Sequence, residues 1–246
     1  MPLGPPPEPA RVQVEAGWLV GTWRSSQLPA KGTNGPLYPA LLTQGWSGGP
    51  VLAQGPTVDA RLRLTERIGL EGEVFGAAYE EALQSSGALP VPDASARQLG
   101  QGTLSVQVQH ALDLGSLRLE PDARLGLWAG SLLVHGIVAG QDGGVEPQVR
   151  QLWAGGPALG AGAELSLGER WGADAHADFG CTANMSPGWT SYELGLHRSL
   201  FLGLYLETSL LWTGRILELR DGDEGTLAGT IADQLSAGRI SIGYGR

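Results

Sequence analysis

Residues 57–79 read TVDARLRLTERIGLEGEVFGAAY and alternate between apolar and polar side chains. The first half sets Val58, Ala60, Leu62 and Leu64 against Asp59, Arg61, Arg63 and Thr65. After a short turn near Arg67 the alternation resumes, with Leu70 and Val74 opposite Glu71 and Glu73. Side chains of a β-strand alternate between its two faces, so this stretch predicts two antiparallel strands, each with one apolar and one charged face.

The same period of two recurs along the rest of the chain. Eight further segments show it, at residues 11–24, 103–112, 117–127, 158–167, 171–179, 191–197, 200–210 and 239–244. Patterns of helical period are scarce, and Gly, with 39 of the 246 residues, is well above its usual share of ~7%. The sequence therefore predicts ten strands, each about as long as the 9–11 residues that cross a bilayer when tilted.

The connections between these strands separate into two lengths. Four are short, around Arg67, Gly115, Glu169 and Arg198. The others are mostly long, at residues 25–56, 80–102, 131–157 and 214–234, and only the one at 182–188 is brief. Short turns at one end, long loops at the other and an even strand count are typical of outer-membrane barrels.

We therefore predict an all-β fold, an antiparallel up-and-down transmembrane β-barrel of about ten strands over residues 11–246, with short periplasmic turns and long extracellular loops. Residues 1–10, MPLGPPPEPA, are predicted to form a Pro-rich periplasmic segment. This segment lacks the basic and apolar regions of a signal peptide, so we expect any export signal to have been removed.

The two faces of the predicted strands have opposite chemistry. In a membrane barrel the charged face lines the lumen, which predicts a lumen charge network of Asp59, Arg61, Arg63, Glu71, Glu73, Arg118, Glu120, Asp122, Arg124 and Glu207. In a soluble barrel, such as a lipocalin-like carrier, the apolar face would form the core instead, and periodicity alone does not distinguish the two. The loop asymmetry favours the membrane. So do Trp18, Trp171, Trp212 and Tyr244, which lie on the apolar faces and are predicted at the lipid interface.

Composition excludes several classes of protein. A mean hydropathy of −0.04 is far below that of a bundle of membrane helices. A net charge of −9 argues against nucleic acid as a partner, because nucleic-acid-binding proteins carry basic faces. The single cysteine, Cys181, excludes an internal disulfide framework. The four histidines do not form a spaced metal site, so we predict neither a metal nor a cofactor.

The last strand, residues 239–246 with the sequence RISIGYGR, resembles the C-terminal signal of small bacterial outer-membrane β-barrels. It departs from that signal because Gly245 and Arg246 follow the aromatic Tyr244. Over residues 11–246 the chain resembles the broad class of OmpA-like and OmpW-like proteins, through its pattern rather than a diagnostic motif. The resemblance implies a Gram-negative outer-membrane location, with membrane lipids and lipopolysaccharide as partners.

Asp174, His176 and Asp178 form the sharpest candidate site, because alternate residues of one strand point the same way. An Asp–His pair could activate a water molecule, which invites comparison with omptins, the ten-stranded outer-membrane proteases. Omptin patterns are not recognisable elsewhere in the chain, and a buried network with Arg61, Arg63, Arg118 and Arg124 is the alternative. We therefore predict no catalytic residues.

Function is predicted from this architecture. We expect a non-enzymatic barrel that acts as a structural scaffold of a cell-envelope assembly, with other envelope proteins as partners of its long loops or N-terminal segment. A narrow channel or transporter for small solutes is the alternative, and an omptin-like protease is a third hypothesis.

Overall fold

A computed structural model of the protein describes residues 11–29, 46–47, 50–79, 97–139, 145–168, 170–182, 185–221 and 226–245. Its strands are β1 (Val12–Pro29), β2 (Trp46–Ser47), β3 (Val51–Arg63), β4 (Ile68–Tyr79), β5 (Arg97–Gln109), β6 (Leu112–Leu114), β7 (Leu117–Ala139), β8 (Val145–Leu167), β9 (Trp171–Cys181), β10 (Pro187–Ser199), β11 (Leu204–Asp221) and β12 (Thr226–Gly245). Across these ranges, no helix has the length and hydropathy needed to cross a membrane.

Ten of these strands form one closed antiparallel sheet. Each pairs with the next long strand along the chain, and β12 returns to pair with β1, for example through Tyr244 and Val14. The two short strands lie beside this path, β2 on β1 and β6 on β7. The predicted ten-stranded up-and-down barrel is therefore confirmed.

The short turns lie together at one end of the barrel, which we call the short-turn end. They join β3 to β4, β5 to β7, β8 to β9 and β10 to β11. The start of β1 at Val12 and the end of β12 at Gly245 lie at this end of the barrel too. Gly115 and Gly203 have φ angles of 75° and 80°, a left-handed conformation that glycine adopts without strain, and each closes one of these turns.

The strands extend further at the opposite end than the sequence pattern predicted. β7 and β8, 23 residues each, stay paired up to Ala139 and Val145, and β11 and β12 stay paired up to Asp221 and Thr226. Two predicted long loops, 131–157 and 214–234, are therefore mostly strand, and that part of the prediction is wrong. Strand pairing continues there beyond the ten or so residues that cross a bilayer, so the apolar alternation used to find strands no longer applies.

The outer face of the barrel carries an apolar band bounded by aromatic side chains. On β9, Trp171 and Phe179 both point outward and lie eight residues apart, or ~27 Å along a strand. Tilted by about 40°, this length spans about 20 Å, close to the height of an apolar band in a membrane barrel. The predicted interface aromatics Trp18, Trp171, Trp212 and Tyr244 are all exposed on this outer face.

The predicted Pro-rich segment, residues 1–10, lies outside the described residues, as do residues 30–45 and 80–96 of the predicted long loops. The roles given to these segments remain predictions.

Candidate functional site

The half of the lumen nearest the short-turn end is filled with ionisable side chains, which we call the charged layer. Its members point inward from nine of the ten long strands and are Glu15, Asp59, Arg61, Arg63, Glu71, Glu73, Arg118, Glu120, Asp122, Arg124, Glu164, Asp174, His176, Asp178, Glu193, His197, Glu207 and Arg239. The structure places all ten residues of the predicted lumen charge network in this layer, together with the three candidate residues of β9.

Arg239 on β12 contacts several carboxylates on one side of the charged layer. Its guanidinium lies 3.0 Å from Glu207 Oε1 on the neighbouring strand β11 and 3.4 Å from Glu73 Oε1 on β4. It also donates a hydrogen bond of 3.0 Å to Ser209 Oγ. Because β4 does not pair with β12, the contact with Glu73 bridges the lumen rather than two adjacent strands.

A second cluster surrounds Glu71 on β4. Arg61 donates through Nε to Glu71 Oε1 at 3.0 Å, and Arg124 lies 3.4 Å from Glu71 Oε2. Arg124 also lies 3.2 Å from Asp122 and 3.4 Å from Asp178, so one guanidinium joins carboxylates of β4, β7 and β9. These contacts make the centre of the charged layer a continuous network of ion pairs.

Nearer the short turns, two arginines share the carboxylate of Glu120. Arg63 Nη2 on β3 lies 2.9 Å from Glu120 Oε2, and Arg118 Nε donates to Glu120 Oε1. Every arginine of the predicted network therefore has a carboxylate partner in the lumen.

The three candidate residues of β9 do not act as one group. His176 Nε2 lies 3.5 Å from Asp174 Oδ2, and its Nδ1 lies 3.8 Å from Asp122 Oδ2. Asp178, two residues further along, is paired with Arg124 instead. β9 begins directly after a short turn, so Asp174 and His176 lie towards the short-turn end and not at the opposite mouth of the barrel.

Above the charged layer, away from the short-turn end, the lumen holds an apolar plug. Its members are Leu19, Trp23, Ala53, Phe75, Ala77, Leu99, Trp128, Leu132, Trp189, Leu211, Leu235 and Ala237. Alternation along the sequence did not predict this plug, because apolar residues were assigned to the outer face. The available signal was consecutive apolar residues, such as Trp18–Leu19, Val74–Phe75 and Leu127–Trp128, which make both faces of a strand apolar at that level.

Two stacked indoles form one side of the plug. The rings of Trp128 and Trp189 lie 5.8 Å apart at an angle of 24°, and Trp128 Nε1 donates to the backbone oxygen of Cys181 at 2.8 Å. A Cβ atom at Gly180 would overlap the indole of Trp128. The missing side chain of this glycine therefore makes room for the ring that crosses from β7 to β9.

A buried ion pair lies beside the plug, with Arg215 opposite Trp189 in the β10–β11 ladder. Arg215 on β11 donates through Nε to Asp233 Oδ1 on β12 at 2.9 Å, and both residues are at most 4% exposed. Arg215 Nη1 also donates to the backbone oxygens of Gly100 and Ser131, at 3.0 and 3.2 Å, on the far side of the lumen. This arginine thus links four strands through the interior of the barrel.

The described residues of the interior also line a small cavity. A cavity of about 20 Å³, lined in part by Glu71, Arg124, Asp178 and Trp189, lies where the charged layer meets the plug. Such a volume has room for about one water molecule.

The distribution of side chains is the reverse of that in a soluble protein. Large apolar residues such as Val58, Leu104, Leu125, Leu194 and Ile242 are exposed around the outer wall, whereas the charges are enclosed in the lumen. A soluble barrel would bury the apolar set, so the outer wall faces lipid. The protein is a small outer-membrane β-barrel.

No family model and no curated protein matches the chain. Among solved structures, the barrel is similar to the outer membrane protease OmpT from Escherichia coli, with 12% identity, a TM-score of 0.45, and 95% of this chain and 97% of that chain covered. It is also similar to Ail, the attachment invasion locus protein of Yersinia pestis, with 9% identity, a TM-score of 0.33, and 92% and 97% covered. A third similar structure is that of Neisserial surface protein A, with 12% identity, a TM-score of 0.35, and 95% of this chain and 98% of that chain covered. At these identities the likeness concerns the fold alone.

Proposed function

We propose that this outer-membrane barrel is a closed, non-enzymatic scaffold of a cell-envelope assembly in a Gram-negative outer membrane. The observation that carries the proposal is the filling of the lumen by the charged layer and by the apolar plug with its Arg215–Asp233 pair. Conduction of small solutes needs a continuous aqueous path, and the buried side chains of the apolar plug support a lumen that is closed at that level.

The lack of an enzymatic role is part of the same proposal. A catalytic Asp–His pair needs a substrate beside it, but the side chain of His176 is only 6% exposed. The plug blocks the approach from the end opposite the short turns. Asp178 is neutralised by Arg124, which leaves the β9 candidates without a third member for a catalytic group.

The scaffold role rests on the parts of the wall that extend beyond the apolar band. The β7–β8 hairpin continues paired to Ala139 and Val145, far past the aromatic level of Phe179, whose partner on β8 is Leu159. Fourteen residues separate Val145 from Leu159, so the hairpin extends roughly 45 Å along the strand beyond this level. A paired projection of this kind suits the binding of another envelope protein, while lipids and lipopolysaccharide contact the outer wall.

Planar-bilayer recordings test the closed lumen. We expect no conductance steps from the native barrel and clear steps from a variant in which Phe75, Trp128 and Leu211 of the plug are all changed to alanine. The matched control changes the outward-facing Leu127 and Leu210 to alanine and should stay silent. Steady conductance of the native protein would contradict the proposal and favour the narrow channel.

Native gel electrophoresis of detergent-extracted host membranes tests the scaffold. We expect the chain to migrate in a complex much larger than its own 25.7 kDa. A variant in which residues 136–148 are replaced by an Asn-Gly turn should still form a heat-modifiable barrel but should leave the complex. If the native chain migrates as a free monomer, or if the shortened hairpin stays in the complex, this form of the scaffold proposal is wrong.

A further inference from the structure

We propose that the inner wall of the barrel binds one divalent transition-metal ion through Asp174, His197 and Glu207. These side chains come from three neighbouring strands, β9, β10 and β11. Each offers one ligand atom, and the three atoms lie within 4.8 Å of one another. The sequence predicted no metal site, because the histidines are not spaced as ligands along the chain.

The register of the three strands builds the site. Glu207 lies directly opposite His197 in the β10–β11 ladder, whereas Asp174 lies opposite Gly195 and His197 opposite Gly172 in the β9–β10 ladder. A Cβ atom at Gly172 would overlap the imidazole of His197, and one at Gly195 would overlap the carboxylate of Asp174. The two glycines therefore leave the recesses in which the aspartate and the histidine lie.

The donor set has a definite chemistry. One imidazole nitrogen with two carboxylates suits Zn²⁺, Mn²⁺ or Fe²⁺ rather than Ca²⁺ or Mg²⁺, which prefer all-oxygen sites. Arg239 binds Glu207 through Oε1, which leaves the other carboxylate oxygen for a metal ion. Glu164 Oε1 lies 3.9 Å from His197 Nε2 and supplies a further carboxylate at the edge of the site.

The buried imidazole of His176 is a second feature that indicates a ligand. Its side chain is buried, and neither ring nitrogen has a hydrogen-bond partner among the described residues. Its Nε2 faces Asp174 Oδ2 at 3.5 Å. Carboxylates that bind metals are usually held by an outer hydrogen bond, and His176 is placed to donate one to Asp174 when the carboxylate turns towards a metal ion.

Charge and access favour a cation at this place. Among the described residues, Asp174 and Glu164 have only histidines within ion-pair distance, whereas the other carboxylates of the charged layer are paired with arginines. The side chains of His197 and Glu164 are 20% and 35% exposed, so the site is open to water at the short-turn end. A metal ion can therefore enter from that side without passing the apolar plug.

The test uses the full chain, refolded in detergent without a histidine tag and titrated with Zn²⁺ and Co²⁺. We expect one Zn²⁺ per barrel by calorimetry, and Co²⁺ absorption bands that show a nitrogen and oxygen ligand set. His197→Gln and Glu207→Gln keep the size of each side chain, and each should weaken Zn²⁺ binding at least tenfold. His110→Gln, at an exposed histidine on the outside, is the matched control and should leave Zn²⁺ binding unchanged.

A heat-modifiability gel shows that each variant is folded before the titration. His176→Phe gives a second readout, because it leaves the three ligands in place and should weaken Zn²⁺ binding less than His197→Gln does. The proposal is overturned if the folded native barrel binds neither ion at millimolar concentration, or if His197→Gln and Glu207→Gln bind Zn²⁺ as the native barrel does.

Discussion

Replacing Asp233 by alanine is expected to lower the free energy of unfolding by about 3 kcal/mol, or roughly 100-fold in the unfolding equilibrium. The variant leaves the guanidinium of Arg215 without its carboxylate in a place where the arginine is only 3% exposed. Removing one partner of a buried ion pair costs about 3–5 kcal/mol. The lower value applies because Arg215 keeps the backbone oxygens of Gly100 and Ser131 as acceptors.

The double variant Arg215→Met with Asp233→Leu separates the charge effect from the packing effect. Two apolar side chains of similar volume remove both charges, and such replacements are often neutral or stabilising. We expect the double variant to lie within about 1 kcal/mol of the native barrel, although it contains two changes.

Urea unfolding in lipid vesicles, followed by tryptophan fluorescence and by the heat-modifiable band, measures both variants. Asp113→Ala is the control, because Asp113 is 65% exposed at the rim and lies 3.7 Å from Arg118. Its loss should cost less than about 1 kcal/mol, as for other exposed pairs. The explanation is refuted if Asp233→Ala costs no more than this control, or if the double variant is as unstable as the single one.

Two further changes test the outer wall and the plug in the same unfolding assay. Leu194 faces outward, 52% exposed, and pairs with Ala175 at the middle of the apolar band, so Leu194→Arg should cost about 2–4 kcal/mol. Leu114→Arg, at an exposed position beside a short turn, should cost at most about 1 kcal/mol, and equal costs would contradict a lipid-facing band. Gly180→Ala places a Cβ atom against the indole of Trp128 and should cost about 1–3 kcal/mol. Adding Trp128→Phe should recover part of that loss if the overlap is its cause.

The strands and their faces could be predicted from the sequence because strand side chains alternate strictly. Asp59 and Arg61 had to share a face once Val58 and Ala60 were placed on the other. The ends of the strands could not be predicted in the same way. The β7–β8 hairpin shows no alternation of apolar and polar residues near Gln148, although its backbone is paired there.

The interior was harder to predict, because it depends on which residues lie opposite each other. Leu19 and Phe75 are apolar like their outward neighbours, and alternation does not show that they pack together in the lumen. Whether the proposed metal ligands lie close together depends even more on the register of the strands. His197 and Glu207 are brought together by the short turn between β10 and β11, and Asp174 by the pairing of another strand.

One half of the lumen is filled with apolar side chains and the other with charged ones. The apolar plug shows that this barrel can fill its interior with Leu, Phe and Trp side chains. Buried ion pairs seldom stabilise a protein more than apolar side chains of the same volume. Stability alone therefore does not explain why the short-turn half keeps Asp174 and Glu164 without arginine partners within ion-pair distance among the described residues. A bound cation does explain it, because it would contact Asp174 directly, whereas Arg61 and Arg239 act on that carboxylate only from beyond ion-pair distance. On this reasoning, Asp174→Asn should stabilise the metal-free barrel and destabilise the barrel in saturating Zn²⁺, whereas a purely structural aspartate would shift both in the same direction.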